Sequence, residues 1–171
     1  MAKEKSGSVK TATLAIAIAV VAVFTMIIKI PTARGYLNPC DVAICFIAYT
    51  LGPVTAGLSA GIGTALADVL GGYPQWALIS FIVHGLEGLV MALIMRGESV
   101  SWAKKIAAGA LCMVIVAGGY CLLAGAFLTG FPTAVAEIPG NLIQSGVGVV
   151  GGLALSEAVR KAYPPVRSIS W

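Results

Sequence analysis

Charge is what this sequence has least of. Asp, Glu, Lys and Arg make up 11% of its 171 residues, against roughly 25% in a soluble domain. That is too little to build a water-facing surface, which excludes an ordinary soluble globular domain. The chain also lacks the G-x-x-x-x-G-K-[ST] loop that cradles nucleotide phosphates, so it has no ATPase site of its own, and it lacks the H-E-x-x-H helix of zinc hydrolases. The four cysteines, Cys40, Cys45, Cys112 and Cys121, show neither C-x-x-C spacing nor a neighbouring histidine pair. They read as small apolar packing residues, with no metal site and no cofactor. The net charge of +4 is not gathered into a stripe with interleaved aromatics, which argues against a nucleic-acid partner.

What the chain has in excess is apolar sequence: 58% of residues are hydrophobic and the mean hydropathy is +0.95. A helix needs about 20 apolar residues to cross a bilayer. Runs of near that length recur from end to end. The pattern predicts an all-α membrane protein, six transmembrane helices in one compact bundle formed by residues 1–171. The spans are expected at about 11–28, 42–51, 54–70, 75–95, 106–128 and 137–160. The second and third, short and separated only by Gly52 and Pro53, are expected to be tilted or partly buried in the bundle. Lys3, Lys5 and Lys10 ahead of the first run resemble a secretory leader, but the apolar run is too long and ends in Lys29 without a small-residue cleavage site. It reads as an uncleaved first span.

Lysine and arginine set the orientation, because cytoplasmic loops are enriched in them. Lys3, Lys5, Lys10, Arg96, Lys104, Lys105, Arg160, Lys161 and Arg167 fall on one side of a six-span chain, and only Lys29 and Arg34 on the other. Both termini are therefore expected in the cytoplasm. The same count favours an even number of spans.

Polar side chains are costly inside a bilayer, so those present must face a cavity or a partner. Glu137, Asn141 and Gln144 recur at i, i+4 and i+7 and share one face of the sixth span. Trp76, Ser80, His84, Glu87 and Met91 do the same on the fourth. Both spans begin on the outer side, so the two stripes descend from it. Asp68 ends the third span, and Arg34, Asn38, Asp41 and Tyr73 lie in or beside the outer loops. Asp41 reads as a cap of the second helix, Asp68 as either a ligand or a partner of Arg34 or Lys29, and His84 with Glu87 as either a ligand pair or a pair bonded to each other. Together they describe an outward-facing pocket of amides, carboxylates, an imidazole and aromatics, suited to a small planar solute with several hydrogen-bonding groups. No charge ring or filter of the kind an ion channel needs is evident.

The segments GYLNPCDVAICFIAYTLGP (35–53), GIGTALADVLGGYPQWALISFIVHGLEGL (61–89) and EIPGNLIQ (137–144) carry a resemblance to the substrate-binding S-components of energy-coupling factor (ECF) vitamin transporters, in their riboflavin-type or uncharacterised subgroup. The resemblance implies a multi-pass protein of a prokaryotic cell membrane that binds a vitamin-like solute from outside. It further implies a membrane coupling subunit and two cytoplasmic ATPase subunits as partners. An alanine pair four apart in the first helix is the family's usual contact with the coupling subunit; Ala15 and Ala19, flanked by Ala12 and Ala22, fit it. The family also implies a lysine in the fourth helix where His84 stands. The solutes compatible with the residues are vitamin B6 forms or a thiamine pyrimidine precursor, riboflavin, and a deazapurine precursor. The competing reading is a self-sufficient secondary transporter coupled to protons through His84, Glu87 and Glu137, against which no inverted repeat is apparent.

Overall fold

A computed structural model describes residues 7–32, 36–97 and 100–169. The chain is helical almost throughout: α1 (Gly7–Ile27), α2 (Cys40–Thr50), α3 (Pro53–Leu70), α4 (Ala77–Ile94), α5 (Trp102–Phe127), α6 (Phe131–Ala136) and α7 (Ile138–Ala162). Two-residue strands β1 (Ile30–Pro31) and β2 (Tyr36–Leu37) pair antiparallel, Ile30 with Leu37 and Pro31 with Tyr36. Single 3-10 turns cover Pro74–Trp76 and Pro164–Ile169. Lys3, Lys5 and Arg34 lie outside the described residues.

Five helices are long and apolar enough to cross a membrane: α1, α3, α4 with its leading turn, α5 and α7. The spans read from sequence match these within a few residues, but the second is different in kind. At about 1.5 Å per residue, the 11 residues of α2 reach about 16 Å, half of a hydrocarbon core near 30 Å. It is instead the centre of the bundle, buried along nearly its whole length from Cys40 to Thr50. Gly52, at φ 94, reverses the chain after it, and Pro53 starts α3 at a position where its missing N–H is no loss. Two segments read as plain loops carry structure: the hairpin β1–β2, and α6 within 129–136.

Helices in lipid associate by packing, so small residues mark their contacts. The largest interface, α3 against α4, is a glycine seam: a Cβ at Gly61 would lie 2.8 Å from the Phe81 carbonyl oxygen, and one at Gly88 2.7 Å from that of Ala56. α1 adds only Ala17, Val21 and Thr25 to the buried set, one residue per turn, and Val21 fits because position 63 is glycine. The rest of α1 is exposed or half-buried. Met91 and Cys112 join the core around α2.

Among the described glycines, Gly148 and Gly152 of α7, which face α2, leave the least room for a side chain. A Cβ at Gly148 would overlap Asp41, and one at Gly152 would overlap Cys45 while meeting the Phe46 N–H at 2.8 Å. Thr50 and Ser156 share a hydrogen bond of 3.0 Å farther along the same seam. Overpacking of this kind costs about 1–3 kcal/mol. Gly148→Ala and Gly152→Ala are therefore expected to lower the melting temperature of the detergent-solubilised protein. Gly118→Ala, where a Cβ meets nothing within 4 Å, should leave it unchanged or raise it slightly, since alanine favours helix by about 1 kcal/mol over glycine. Equal melting temperatures for all three variants would contradict the packing described.

Candidate functional site

The polar residues of the apolar helices converge at one end of the bundle. There the C-terminal halves of α1, α3 and α5 meet the N-terminal halves of α4 and α7, with the hairpin and α6 alongside. They line a cavity that is open to solvent at its mouth. Its wall mixes apolar and aromatic side chains with a few converging polar groups, the make-up of a site for a small organic solute.

Asn38, Asp68, Trp76, Ser80, His84, Glu137, Asn141 and Gln144 all line this cavity. Glu137, Asn141 and Gln144 present one face of α7 to it, and Trp76, Ser80 and His84 one face of α4, as the spacing implies. Tyr73 does not line it: the Gly71–Gly72 turn, with Gly72 at φ 86, leaves the Tyr73 ring 5.0 Å from Tyr36 in an edge contact. Glu87 does not line it either, being fully buried behind His84.

Each polar member is held in a defined way. Asp68 accepts from the Tyr36 hydroxyl at 3.0 Å and from Ser80 Oγ at 2.6 Å. Because Ser80 has one proton to give, the Tyr120 hydroxyl 2.8 Å away donates to it. The resulting chain, Tyr120 to Ser80 to Asp68, ties α5, α4 and α3 together. Burial, and then the Asp68 carboxylate beside it, push the Tyr36 phenol well above its ordinary range, so it remains a neutral donor. No ion pair forms between Asp68 and Lys29 among the described residues; Lys29 Nζ lies 4.6 Å over the Tyr36 ring and 5.6 Å from that of Tyr73.

Gln144 works as a clamp. Its Oε1 accepts from the Asn38 N–H at 2.8 Å and its Nε2 donates to Asp41 Oδ2 at 2.6 Å. Asn38 Oδ1 in turn accepts from the Cys40 N–H at 2.9 Å. Asn38 thus satisfies the first N–H of α2, Pro39 holds the cap position, and the expectation that Asp41 caps this helix is corrected: Asp41 is its second residue, fully buried. Asn141 differs from all of these. Half-buried on the cavity wall, its carboxamide has no hydrogen-bond partner among the described residues.

At the base, His84 Nδ1 lies 2.8 Å from Glu87 Oε2 and 4.0 Å from Asp41 Oδ1, and its Nε2 lies 3.9 Å from Cys40 Sγ. His84 therefore bonds to Glu87 and lines the cavity at once. Cys40 and Asp41 arrive beside it from α2, a neighbourhood that sequence spacing could not show. Tyr36, Tyr120 and Thr64 are further lining residues not singled out from sequence. The signal for Tyr120 was available: a lone phenol within an otherwise apolar span. The G-L-S-A-G segment at 57–61 has the spacing of a hydrolase elbow. It runs inside α3, however, with Ser59 fully buried and bonded to the Ala56 carbonyl, so it presents no nucleophile.

Comparison with known proteins follows the same lines. A Pyrococcus woesei protein described as "Uncharacterized protein in gap 3'region" is 33% identical over 148 residues, covering 85% of this chain and 98% of that protein. The thiamine precursor transporter HmpT of Lactococcus lactis subsp. cremoris is 26% identical over 130 residues, 76% of this chain and 73% of HmpT. The crystal structure of FolT bound with folic acid superposes with a TM-score of 0.64 at 20% identity, covering 89% of this chain and 95% of FolT. That last likeness shows a shared all-helical membrane fold. A family profile described as "ECF-type riboflavin transporter, S component" matches residues 6–161, the whole helical bundle and its cavity. The chain therefore belongs to the ECF-type riboflavin transporter S-component family.

Proposed function

We propose that this chain is the solute-capture subunit of an ATP-driven ECF-type importer, and that its solute is a small amino-bearing heteroaromatic vitamin precursor taken from the outer side of the membrane. The observation that carries the reading is the chemistry of the cavity wall. Asp68 and Glu137 supply carboxylates, Asn38 and Asn141 amides, Trp76 and Tyr120 rings, and none of the described lining residues is Lys or Arg. A wall rich in acceptors selects a ring that brings its own donors.

Among the compatible solutes, the aminopyrimidine precursor of thiamine meets this condition best, followed by an amino-substituted deazapurine. Riboflavin offers mainly acceptors along its ring carbonyls and ring nitrogens, and a phosphorylated vitamin B6 would set an anion against Asp68 and Glu137. The similarity to HmpT, a thiamine precursor transporter, supports the same choice. So does His84: a neutral imidazole stands where the family resemblance implies a lysine, which removes a fixed cation from the cavity base. The basic residues Arg96, Lys104, Lys105, Arg160 and Lys161 all sit at or beyond the opposite ends of α4, α5 and α7, and the positive-inside tendency turns the cavity outward.

Binding by the isolated subunit tests the pocket. Titration calorimetry with the thiamine aminopyrimidine is expected to show tight one-to-one binding. A lost hydrogen bond to a buried partner costs about 1–3 kcal/mol, so Asn141→Ala should weaken binding about 5- to 150-fold. Since the Asn141 amide bonds to nothing else in the described fold, the melting temperature of the variant should be unchanged. Unaltered affinity in both Asn141→Ala and His84→Ala would place the solute elsewhere.

The energy source would be a partner, docked on α1. Ala15 and Ala19 are exposed, as is Ala12, and α1 is the least buried span, at 17%. These alanines therefore do not serve packing within this chain, and small residues on an exposed helix face let a second helix come close in lipid. Ala15→Trp with Ala19→Trp is expected to abolish co-purification with the coupling subunit while leaving solute affinity intact. Loss of solute binding in the isolated double variant would mean that this face is not the partner surface.

A further inference from the structure

The base of the cavity holds a second constellation. Cys40 and Asp41 open α2, and His84 lies midway along α4; all three are buried. Cys40 Sγ is 3.3 Å from Asp41 Oδ2 and 3.9 Å from His84 Nε2, and one ligand-type atom from each residue falls within 4.8 Å of the other two. Asp41 has no exposed surface, yet its Oδ1 has no hydrogen-bond partner. A buried carboxylate oxygen left unpaired costs free energy and calls for an explanation.

The orientation of the imidazole supplies one. Glu87 Oε2 lies 2.8 Å from His84 Nδ1, and a carboxylate can only accept. An ionised Glu87 puts the proton on Nδ1 and leaves the Nε2 lone pair on the side of Cys40 Sγ, 3.9 Å away. A carboxylate that fixes the far nitrogen of a histidine is the usual outer partner of a metal-bound imidazole. Gln144 does the equivalent for Asp41, donating to Oδ2 at 2.6 Å. We propose that Cys40 Sγ, the Asp41 carboxylate and His84 Nε2 bind a zinc-class divalent transition-metal ion, with Glu87 and Gln144 as positioning residues.

Physical chemistry favours this reading on three counts. Metal–sulfur bonds of about 2.3 Å and metal–nitrogen or metal–oxygen bonds of about 2.0–2.2 Å put tetrahedral ligand atoms about 3.3–3.6 Å apart; Cys40 Sγ is 3.3 Å from Asp41 Oδ2 and 3.9 Å from His84 Nε2, and all three ligand atoms fall within 4.8 Å, so binding draws them together. Binding forms a metal–sulfur bond and releases the Cys40 thiol proton to solvent. The thiolate and the Asp41 carboxylate then cancel the dication, which lets a charged centre sit in an apolar bundle. The mixture of thiolate, imidazole and carboxylate prefers zinc or cobalt to magnesium or calcium, which take oxygen ligands. His84 lines the cavity, so the ion would enter from there.

Cobalt reports the site without reference to any solute. The full-length protein, freed of affinity tag and metal-stripped in detergent, is expected to take up one equivalent of Co2+ with a thiolate-to-cobalt charge-transfer band, and Zn2+ should displace it. Cys40→Ser should lose the band and Cys121→Ser should keep it. Glu87→Gln should keep the band but weaken affinity about 10- to 100-fold, the usual effect of losing an outer partner. X-ray absorption of the zinc-loaded wild type, which needs no variant to fold, should show a single sulfur neighbour among nitrogen and oxygen. No stoichiometric uptake by the monodisperse wild type, a band that survives Cys40→Ser, or zinc with no sulfur or several sulfurs would overturn the assignment. His84 belongs to both readings, so the two are kept apart by Asn141, which is outside the metal trio: solute affinity is read through Asn141→Ala, and the cobalt band through Cys40→Ser with no solute added.

Discussion

The approach of α7 to α2 at Gly148 and Gly152 governs the geometry of the whole polar end of this molecule. With a side chain at either position the two helices could not meet, because the added carbon would overlap Asp41 or Cys45. With glycine there, Gln144, one turn earlier on α7, reaches both the Asn38 N–H and Asp41. That double contact pins the start of α2, and with it Cys40 and Asp41, against His84 and Glu87 on α4. It also turns the face of α7 that carries Asn141 and Glu137 to the cavity.

The bilayer explains why so many polar groups pair with one another. Lipid offers no donors or acceptors, so a polar group within the span depth must find its partner inside the protein or in a water-filled cavity. Tyr36 and Ser80 satisfy Asp68, and Tyr120 satisfies Ser80; Asn38 and Gln144 satisfy the start of α2. Against this saturated background the uncommitted groups stand out. Among the described residues they include the Asn141 carboxamide on the wall and the Asp41 Oδ1 at the base, and, away from the cavity wall, the Tyr49 hydroxyl and Thr55 Oγ1. Of these, only the Asn141 carboxamide lies on the cavity wall, and only Asp41 Oδ1 lies beside the His84 imidazole.

Much of this was legible in the sequence, and the parts that were not have physical causes. Span positions follow from long apolar runs ended by Pro31, Gly71–Gly72 or Arg96. The stripes Glu137–Asn141–Gln144 and Trp76–Ser80–His84 follow from helical spacing, because side chains three or four apart share a face. Short-range pattern misled where tertiary context decided. Asp41 looked like a cap, but Asn38 satisfies the first N–H of α2 and Asp41 lies inside the core. Cys40 is buried in the core as a packing residue should be, but its approach to His84, 44 positions away, leaves no local signature. The two-residue strands around residues 30 and 37 and the six-residue α6 are too short for any periodicity to register.

A cavity that only captures its solute needs a separate engine, whereas a buried His84–Glu87–Asp41 group could also be read as the proton path of a self-sufficient carrier. Uptake of labelled thiamine aminopyrimidine by vesicles containing this chain, with and without the coupling subunit, the two ATPases and ATP, separates these most directly. Accumulation only when the ATPases and ATP are present is the expected result. Accumulation driven by a proton gradient across vesicles that contain this chain alone would contradict the account.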